Sequence, residues 1–252
     1  MSLQIDEHGR GERAVVLLHG LPSTVAYFDP LIEALAPDHR VLAVYLPGYG
    51  GSAPLPLPYS LDAALASVED ALHEHGVRRA AFVGFSSGAH RMFAIALRGR
   101  VAASHLVGLG AVASFTAAER EGFAGFVAAL RAGVDLAPIV PGRFLSPAST
   151  GDPARVKAVL AWLTAAPLGV VEAELEAFVH APDLLDALRA IKVPTLLRTG
   201  ALDVASPPAK AEEIARAIEG ATVEIVAGAG HALLIEDGEA TARSVQRFLA
   251  TG

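Results

Sequence analysis

The sequence predicts an α/β fold: a mostly parallel central sheet with helices on both faces, interrupted by an inserted all-helical segment. Three observations predict it. Short, continuously apolar runs recur along the chain, as expected of strands buried on both faces of a parallel sheet. Runs with apolar residues three and four apart alternate with them, which is the rhythm of βα units. Between residues 113 and 183 the alternation stops, and the chain is Ala-rich, helix-like and punctuated by prolines.

In chain order, SLQIDEHGRGER reads as a short strand and hairpin turn leading into the apolar run AVVLLHG, residues 14–20. A helical stretch, AYFDPLIEALAPD, precedes the next strand, HRVLAVYLPG, and the Pro/Gly-rich LPGYGGSAPLPLPYS must be loop. SLDAALASVEDALHEHG has helical spacing, with Ser60 as its N-cap and Gly76 as its stop. AAFVGF is a strand, GAHRMFAIALRG a helix and SHLVGLGAV, residues 104–112, a strand. After the break the alternation resumes with the strand VPTLLRTG, the helix KAEEIARAIEG, the strand ATVEIVAG and a terminal helix, EATARSVQRFLA. The simplest organisation is a core formed by residues 1–112 and 184–252, with residues 113–183 inserted as a helical cap. The insertion holds Phe115, Phe123, Phe126, Phe144, Phe178 and the single tryptophan, Trp162. Two readings are open for these aromatics: they form the insertion's own small core, or they line an apolar substrate pocket.

Composition narrows the function. At 252 residues the chain suffices for one sizeable core. Its formal net charge of -7, with no run of Lys or Arg, argues against nucleic acid or an anionic membrane surface as partner. Cysteine is absent, which excludes disulfides and a thiol nucleophile. The start, MSLQIDEHGRGER, lacks a basic-then-apolar signal pattern, and no apolar run approaches the ~20 residues of a membrane span. A cytoplasmic enzyme or binding protein is therefore expected, as a monomer or homodimer. His73 and His75 sit two apart on a helix and face different directions, and the other histidines show no ligand spacing, so no metal is expected.

The informative stretch is VGFSSGAH, residues 83–90, where strand passes into helix with almost no loop. A serine at so sharp a turn takes a strained backbone that lifts its Oγ above the sheet. Side chains two residues to either side would collide, which suits Gly84 and Gly88. The helix that follows points free N–H groups at the place where an oxyanion would form. Ser86 needs a base, and the base needs an orienting acid. TGALD puts Asp203 just beyond one strand and GAGH puts His231 just beyond another, so all three residues fall at the carboxyl edge of one parallel sheet. HGLPST, after the first long strand, lets the Leu21 N–H turn inward; with the Ser87 N–H it makes a two-donor hole, each donor contributing roughly 3 kcal/mol. His19 then holds the turn and transfers no proton.

With HGLP, LPGYGGS, GFSSG, TGALD and GAGH in this order, the chain resembles the α/β-hydrolase superfamily over essentially its whole length. It is similar to the lidded members: esterases, lactonases, carbon–carbon bond hydrolases and cofactor-free haloperoxidases. Ser86 sets it with the acyl-transfer members rather than those that use an aspartate nucleophile. The resemblance implies a Ser86–His231–Asp203 triad, no cofactor, and a small to medium carboxylic ester or lactone as substrate. Phe85, Phe123, Phe126, Phe144 and Trp162 are the candidate substrate-binding residues. Three departures stand out: Tyr45 where an Asp is frequent, Phe85 where a His is frequent, and Ala89 in the last place of the usual S-x-G-G. A carbon–carbon hydrolase with the same triad is the alternative, and it would want a cationic group for a second carboxylate, for which Arg91, Arg143 and His90 are the nearest candidates. A perhydrolase or haloperoxidase-like enzyme differs only in the nucleophile that reaches the acyl-enzyme. A small-molecule receptor with vestigial hydrolysis is a further possibility that the intact triad counts against.

Overall fold

A computed structural model describes residues 3–251. Seven strands, β1 (Ile5–His8), β2 (Arg13–Leu18), β3 (His39–Val44), β4 (Arg79–Phe85), β5 (Ala102–Leu109), β6 (Thr195–Gly200) and β7 (Thr222–Val226), form one sheet. Their spatial order is β1-β3-β2-β4-β5-β6-β7, and every neighbouring pair is parallel except β1 with β3. The predicted N-terminal hairpin is corrected here: β1 pairs antiparallel with β3, which lies between it and β2. The turn GRG serves a different purpose. A Cβ on Gly11 would stand 2.6 Å from the His39 Cα, so the chain crosses the start of β3 at a distance that only glycine allows.

The parallel strands are apolar throughout because both faces are covered. In β2, Val16 and Leu18 join one hydrophobic cluster while Val15 and Leu17 join the other, the period-two alternation of a strand buried on both sides. Each such side chain contributes about 1.5–3 kcal/mol by leaving water. Helices α1 (Asp29–Leu35), α2 (Leu61–Glu74) and α3 (Ser87–Arg98) come before the break in rhythm. As expected, the Ser60 Oγ accepts from the Ala63 N–H at 3.2 Å, and Gly76 turns the chain with φ +74°.

Residues 113–183 contain helices α4 (Ala117–Arg131), α5 (Val140–Phe144), α6 (Pro153–Leu160) and α7 (Leu168–Val179), and no strand. A capping box starts α4: the Thr116 hydroxyl accepts from the Glu119 N–H while the Glu119 carboxylate accepts from the Thr116 N–H. Helices α4 and α7 share a small core of Val127, Val171 and Leu175, against which Phe123, Phe126 and the Leu21 side chain pack. Helix α8 (Pro208–Ala217) returns the chain to the sheet, and α9 (Leu233–Glu236) and α10 (Gly238–Leu249) complete it. Helices α2, α3 and α8 cover one face of the sheet, and α1 and α10 the other. Among the described residues no single helix is long and apolar enough to cross a membrane.

Register aligns the ends of the central strands. Leu18 pairs with Gly84, Gly84 with Gly108 and Gly108 with Leu197. The segments after β2, β4, β5 and β6 therefore leave the sheet side by side.

Candidate active site

Ser86 sits between β4 and α3 with φ +53° and ψ -121°, and it is the one residue other than glycine with positive φ among the described residues. A conformation of this kind costs on the order of 1–3 kcal/mol and persists only where the surroundings enforce it. Here its N–H is held by the Leu109 carbonyl at 2.9 Å, and its own carbonyl accepts from the Ala89 N–H at 2.9 Å. Both flanking glycines are sterically required. A Cβ on Gly84 would stand 2.5 Å from the Ala89 Cα, and one on Gly88 would stand 2.5 Å from the His19 carbonyl oxygen.

Asp203 and His231 meet at this edge. The Asp203 Oδ2 accepts from His231 Nδ1 at 2.7 Å, while its Oδ1 accepts the Ala205 and Ser206 amides at 2.8 and 2.7 Å. A carboxylate only accepts, so the imidazole proton lies on Nδ1 and the Nε2 lone pair is bare. Nε2 is buried and has no hydrogen-bond partner among the described residues, Ser86 included. Gly110 (φ +51°) makes room for the pair, since a Cβ there would lie 2.9 Å from His231 Nδ1 and 3.2 Å from Asp203 Oδ2. The His231 loop is tied down by Glu236, whose carboxylate accepts the Gly230 amide at 2.6 Å and the Ser146 amide at 2.9 Å.

The turn after β2 brings its backbone against the serine: a Cβ on Gly20 would be 3.0 Å from the Ser86 Cβ. His19 fixes that turn. The Leu46 N–H donates to its Nε2 at 3.2 Å, so Nδ1 carries the proton that is donated to the Gly20 carbonyl at 2.9 Å. The Gly20 carbonyl and the Leu21 N–H belong to one planar peptide unit, and holding the first aims the second. Burial pushes the His19 pKa down to about 4, which keeps the ring neutral. Neither the Leu21 nor the Ser87 amide donates to another group among the described residues.

The predicted aromatic residues separate into two groups. Phe85 stacks on Tyr27 at 4.1 Å and lies 4.8 Å from the His231 ring. Trp162 is 5.7 Å from Tyr27, 5.8 Å from Phe85 and 5.3 Å from Phe144, and Phe144 is 5.6 Å from His231. Phe123 belongs instead with Phe115 and Phe178, at 5.3 and 6.5 Å. Phe126 packs both against the cluster that holds Phe85 and Trp162 and against the Val127–Val171–Leu175 core. The insertion's aromatics thus divide between a group that reaches the His231 ring through Phe144 and a group packed between α4 and α7.

The three candidate cations do not gather at Ser86. Arg143 is exposed. His90 is held by the Pro182 carbonyl at 2.9 Å, and burial lowers its pKa to about 4. Arg91 is 2% exposed and ion-paired to Glu174, itself 1% exposed, on α7. Tyr27 stands beyond the HGLP turn and Glu236 five residues past His231, positions the sequence offers without a role, whereas Gly110 and Glu174 have no signal beyond their residue types.

A family model described as the alpha/beta hydrolase family matches residues 15–244. The chain is 31% identical to a polyketide synthase, ThaQ, of Burkholderia thailandensis over 96% of its own length, but spans only 12% of that much longer protein. It is also 31% identical to a pimeloyl-(acyl-carrier protein) methyl ester esterase of Xanthomonas campestris, covering 98% of this chain and 99% of that one. Among solved structures, the enol-lactonase of Burkholderia xenovorans LB400 superposes with a TM-score of 0.89 at 25% identity, covering 98% of this chain and 96% of the other.

Proposed function

The chain belongs to the alpha/beta hydrolase family, and from that premise we propose that it cleaves a small to medium carboxylic ester or lactone through an acyl-enzyme on Ser86. The chain is an enzyme, a hydrolase acting on ester bonds. The observation that carries the mechanism is the buried His231–Asp203 hydrogen bond, with a bare Nε2 at the same sheet edge as the strained serine. His231 takes the Ser86 proton as Oγ attacks the carbonyl carbon, and Asp203 stabilises the imidazolium that results. The Leu21 and Ser87 amides receive the oxyanion, about 3 kcal/mol each by analogy with a measured hole. His231 then protonates the leaving alkoxide. A water deprotonated by the same Nε2 attacks the acyl-enzyme, and His231 returns the proton to the departing Ser86 Oγ as the acyl–Oγ bond breaks and the carboxylic acid is released. Phe85 and Phe144, against the His231 ring, and Trp162, against both of them, provide the apolar wall for the acyl or alkyl part, and residues 113–183 act as the cap over it.

Two relatives whose names describe a methyl ester esterase and an enol-lactonase support ester or lactone chemistry. Neutralisation of Arg91 by Glu174 speaks against a carbon–carbon substrate with a second carboxylate, because of the two buried candidates Arg91 is already paired and His90 is kept neutral by burial. The test is turnover of p-nitrophenyl esters of increasing acyl length, and of simple lactones, beside two variants. Ser86→Ala should lose on the order of 10⁶-fold in kcat. Asp203→Asn should lose up to about 10⁴-fold. Full activity in Ser86→Ala would remove the mechanism; full activity in Asp203→Asn would move the acid elsewhere.

A further inference from the structure

A ring of buried contacts surrounds the two amides assigned to the oxyanion, and one member of that ring comes from the cap. Arg91 lies one turn after Ser87 on α3, and its Nη1 donates to the Ser87 Oγ at 3.2 Å. Its Nη2 donates to Oε1 of Glu174 on α7, and the Phe178 ring, also on α7, lies 4.8 Å below the guanidinium. The other Glu174 oxygen accepts from the Tyr49 hydroxyl at 2.8 Å. The Tyr49 ring rests against the His19 ring at 4.5 Å, and His19 holds the Gly20–Leu21 peptide. From Glu174 one branch therefore runs through Arg91 to Ser87, and the other through Tyr49 and His19 to Leu21.

Stability does not explain this pair. Two charges withdrawn from water recover their desolvation only when fully hydrogen-bonded, and apolar residues of similar volume often do as well. Here Arg91 Nε and the neighbouring Tyr59 hydroxyl are buried without partners among the described residues, so the recovery is incomplete. What the pair supplies that apolar side chains would not is direction: a planar fork fixed at one end by a cap carboxylate and at the other by the hydroxyl of the residue that carries an oxyanion donor.

Resting on the triad reading above, we infer that Arg91 and Glu174 are positioning residues for the oxyanion hole, through which seating of α7 of the cap aligns the Ser87 and Leu21 amides. An open or displaced α7 removes Glu174 from both branches at once, so cap closure and a competent oxyanion hole become one event. Neither side chain touches substrate.

The test measures kcat and KM for p-nitrophenyl butyrate, and inhibition by an aryl trifluoromethyl ketone, whose adduct on serine places an oxyanion in the hole. Removing a whole donor costs about 10²–10³ in kcat, so misaiming one in Arg91→Met should cost about 10–100-fold, with KM held within about threefold. Ketone inhibition should weaken by the same factor. Glu174→Gln keeps the shape and removes the charge, and should lose about 3–10-fold in both readouts as a partial loss of the same kind. It decides the matter if Arg91→Met does not fold. The double variant Arg91→Met/Glu174→Met restores apolar packing without direction and should stay as slow as Arg91→Met. Recovery of wild-type kcat in the double variant, or unchanged kcat and ketone inhibition in Glu174→Gln, overturns the inference while leaving the triad intact. No turnover and no ketone inhibition in the unchanged protein overturns the triad reading, and the inference with it.

Discussion

Gly110 shows how finely the site is set at single residues. Its φ of +51° is one that an L side chain rarely adopts, and a methyl group there would press on His231 Nδ1 and Cε1, both 2.9 Å away, and on Asp203 Oδ2. Gly110→Ala therefore carries two costs, backbone strain of about 1–2 kcal/mol and displacement of the imidazole from its carboxylate. Activity should fall at least tenfold while the thermal midpoint drops only modestly; equal activity in the variant would mean that the pair has slack. Gly125 is the control. It lies inside α4 with nothing within 4 Å of a Cβ and an ordinary φ, so Gly125→Ala should raise stability by about 0.5–1 kcal/mol and leave kcat alone. The difference between these two glycines lies in what stands around them, and a sequence holds no trace of that.

At the scale of elements, legibility followed locality. Buried parallel strands read as apolar runs, α2 carried its own cap and stop, and the Ser86 turn carried its glycines, because each signal lies within one short, continuous stretch of chain. The partner of β1 did not read correctly: GRG looks like a hairpin turn, yet β3 supplies the hydrogen bonds from more than thirty residues away. Asp203 and His231 were legible as residues at strand ends, whereas Glu174 was not, because it is the middle one of three alternating carboxylates on α7, Glu172, Glu174 and Glu176, and such a row looks like a solvated face. Its partner Arg91 is 83 positions earlier. The insertion's aromatics were visible but their division was not, since it depends on how α4 to α7 fold over the sheet. Trp162 gives that division a measurable consequence. It is wedged among Tyr27, Phe85 and Phe144, and the last two of these lie against the His231 ring. Trp162→Ala should cost about 3–5 kcal/mol of stability and shift the preferred p-nitrophenyl ester toward longer acyl chains. An unchanged chain-length profile would show that the acyl group lies elsewhere. Phe123→Ala, in the other aromatic group, should leave the profile as it is.

The molecule as a whole carries an acid sensitivity built from two buried histidines near the Ser86 turn. His19 and His90 are pushed from 6.5 to about 4, first by burial. The Arg91 charge lowers both, and Arg120 lowers His90 further, while hydrogen bonds to Gly20 and Pro182 and the charge of Asp183 near His90 pull the other way. In the unfolded chain both rings take a proton near pH 6.5; in the folded chain neither does until about pH 4. Across that window the unfolded state binds more protons, so stability is full above it and falls as pH drops. Between pH 7 and 5 the loss is about 2 kcal/mol for each histidine, about 4 kcal/mol for both. Glu7, held at about 2 by Arg40 and His75, adds its own loss only below 4.5 and leaves this window clear. Urea unfolding at pH 7, 6 and 5 should show the midpoint falling steadily. His90→Gln, which can still donate to the Pro182 carbonyl, should halve the fall without abolishing activity. A midpoint that is flat from pH 7 to 5 in the unchanged protein would mean that the rings accept protons in place, and that the neutral His19 needed to aim the Leu21 amide is not secured by burial.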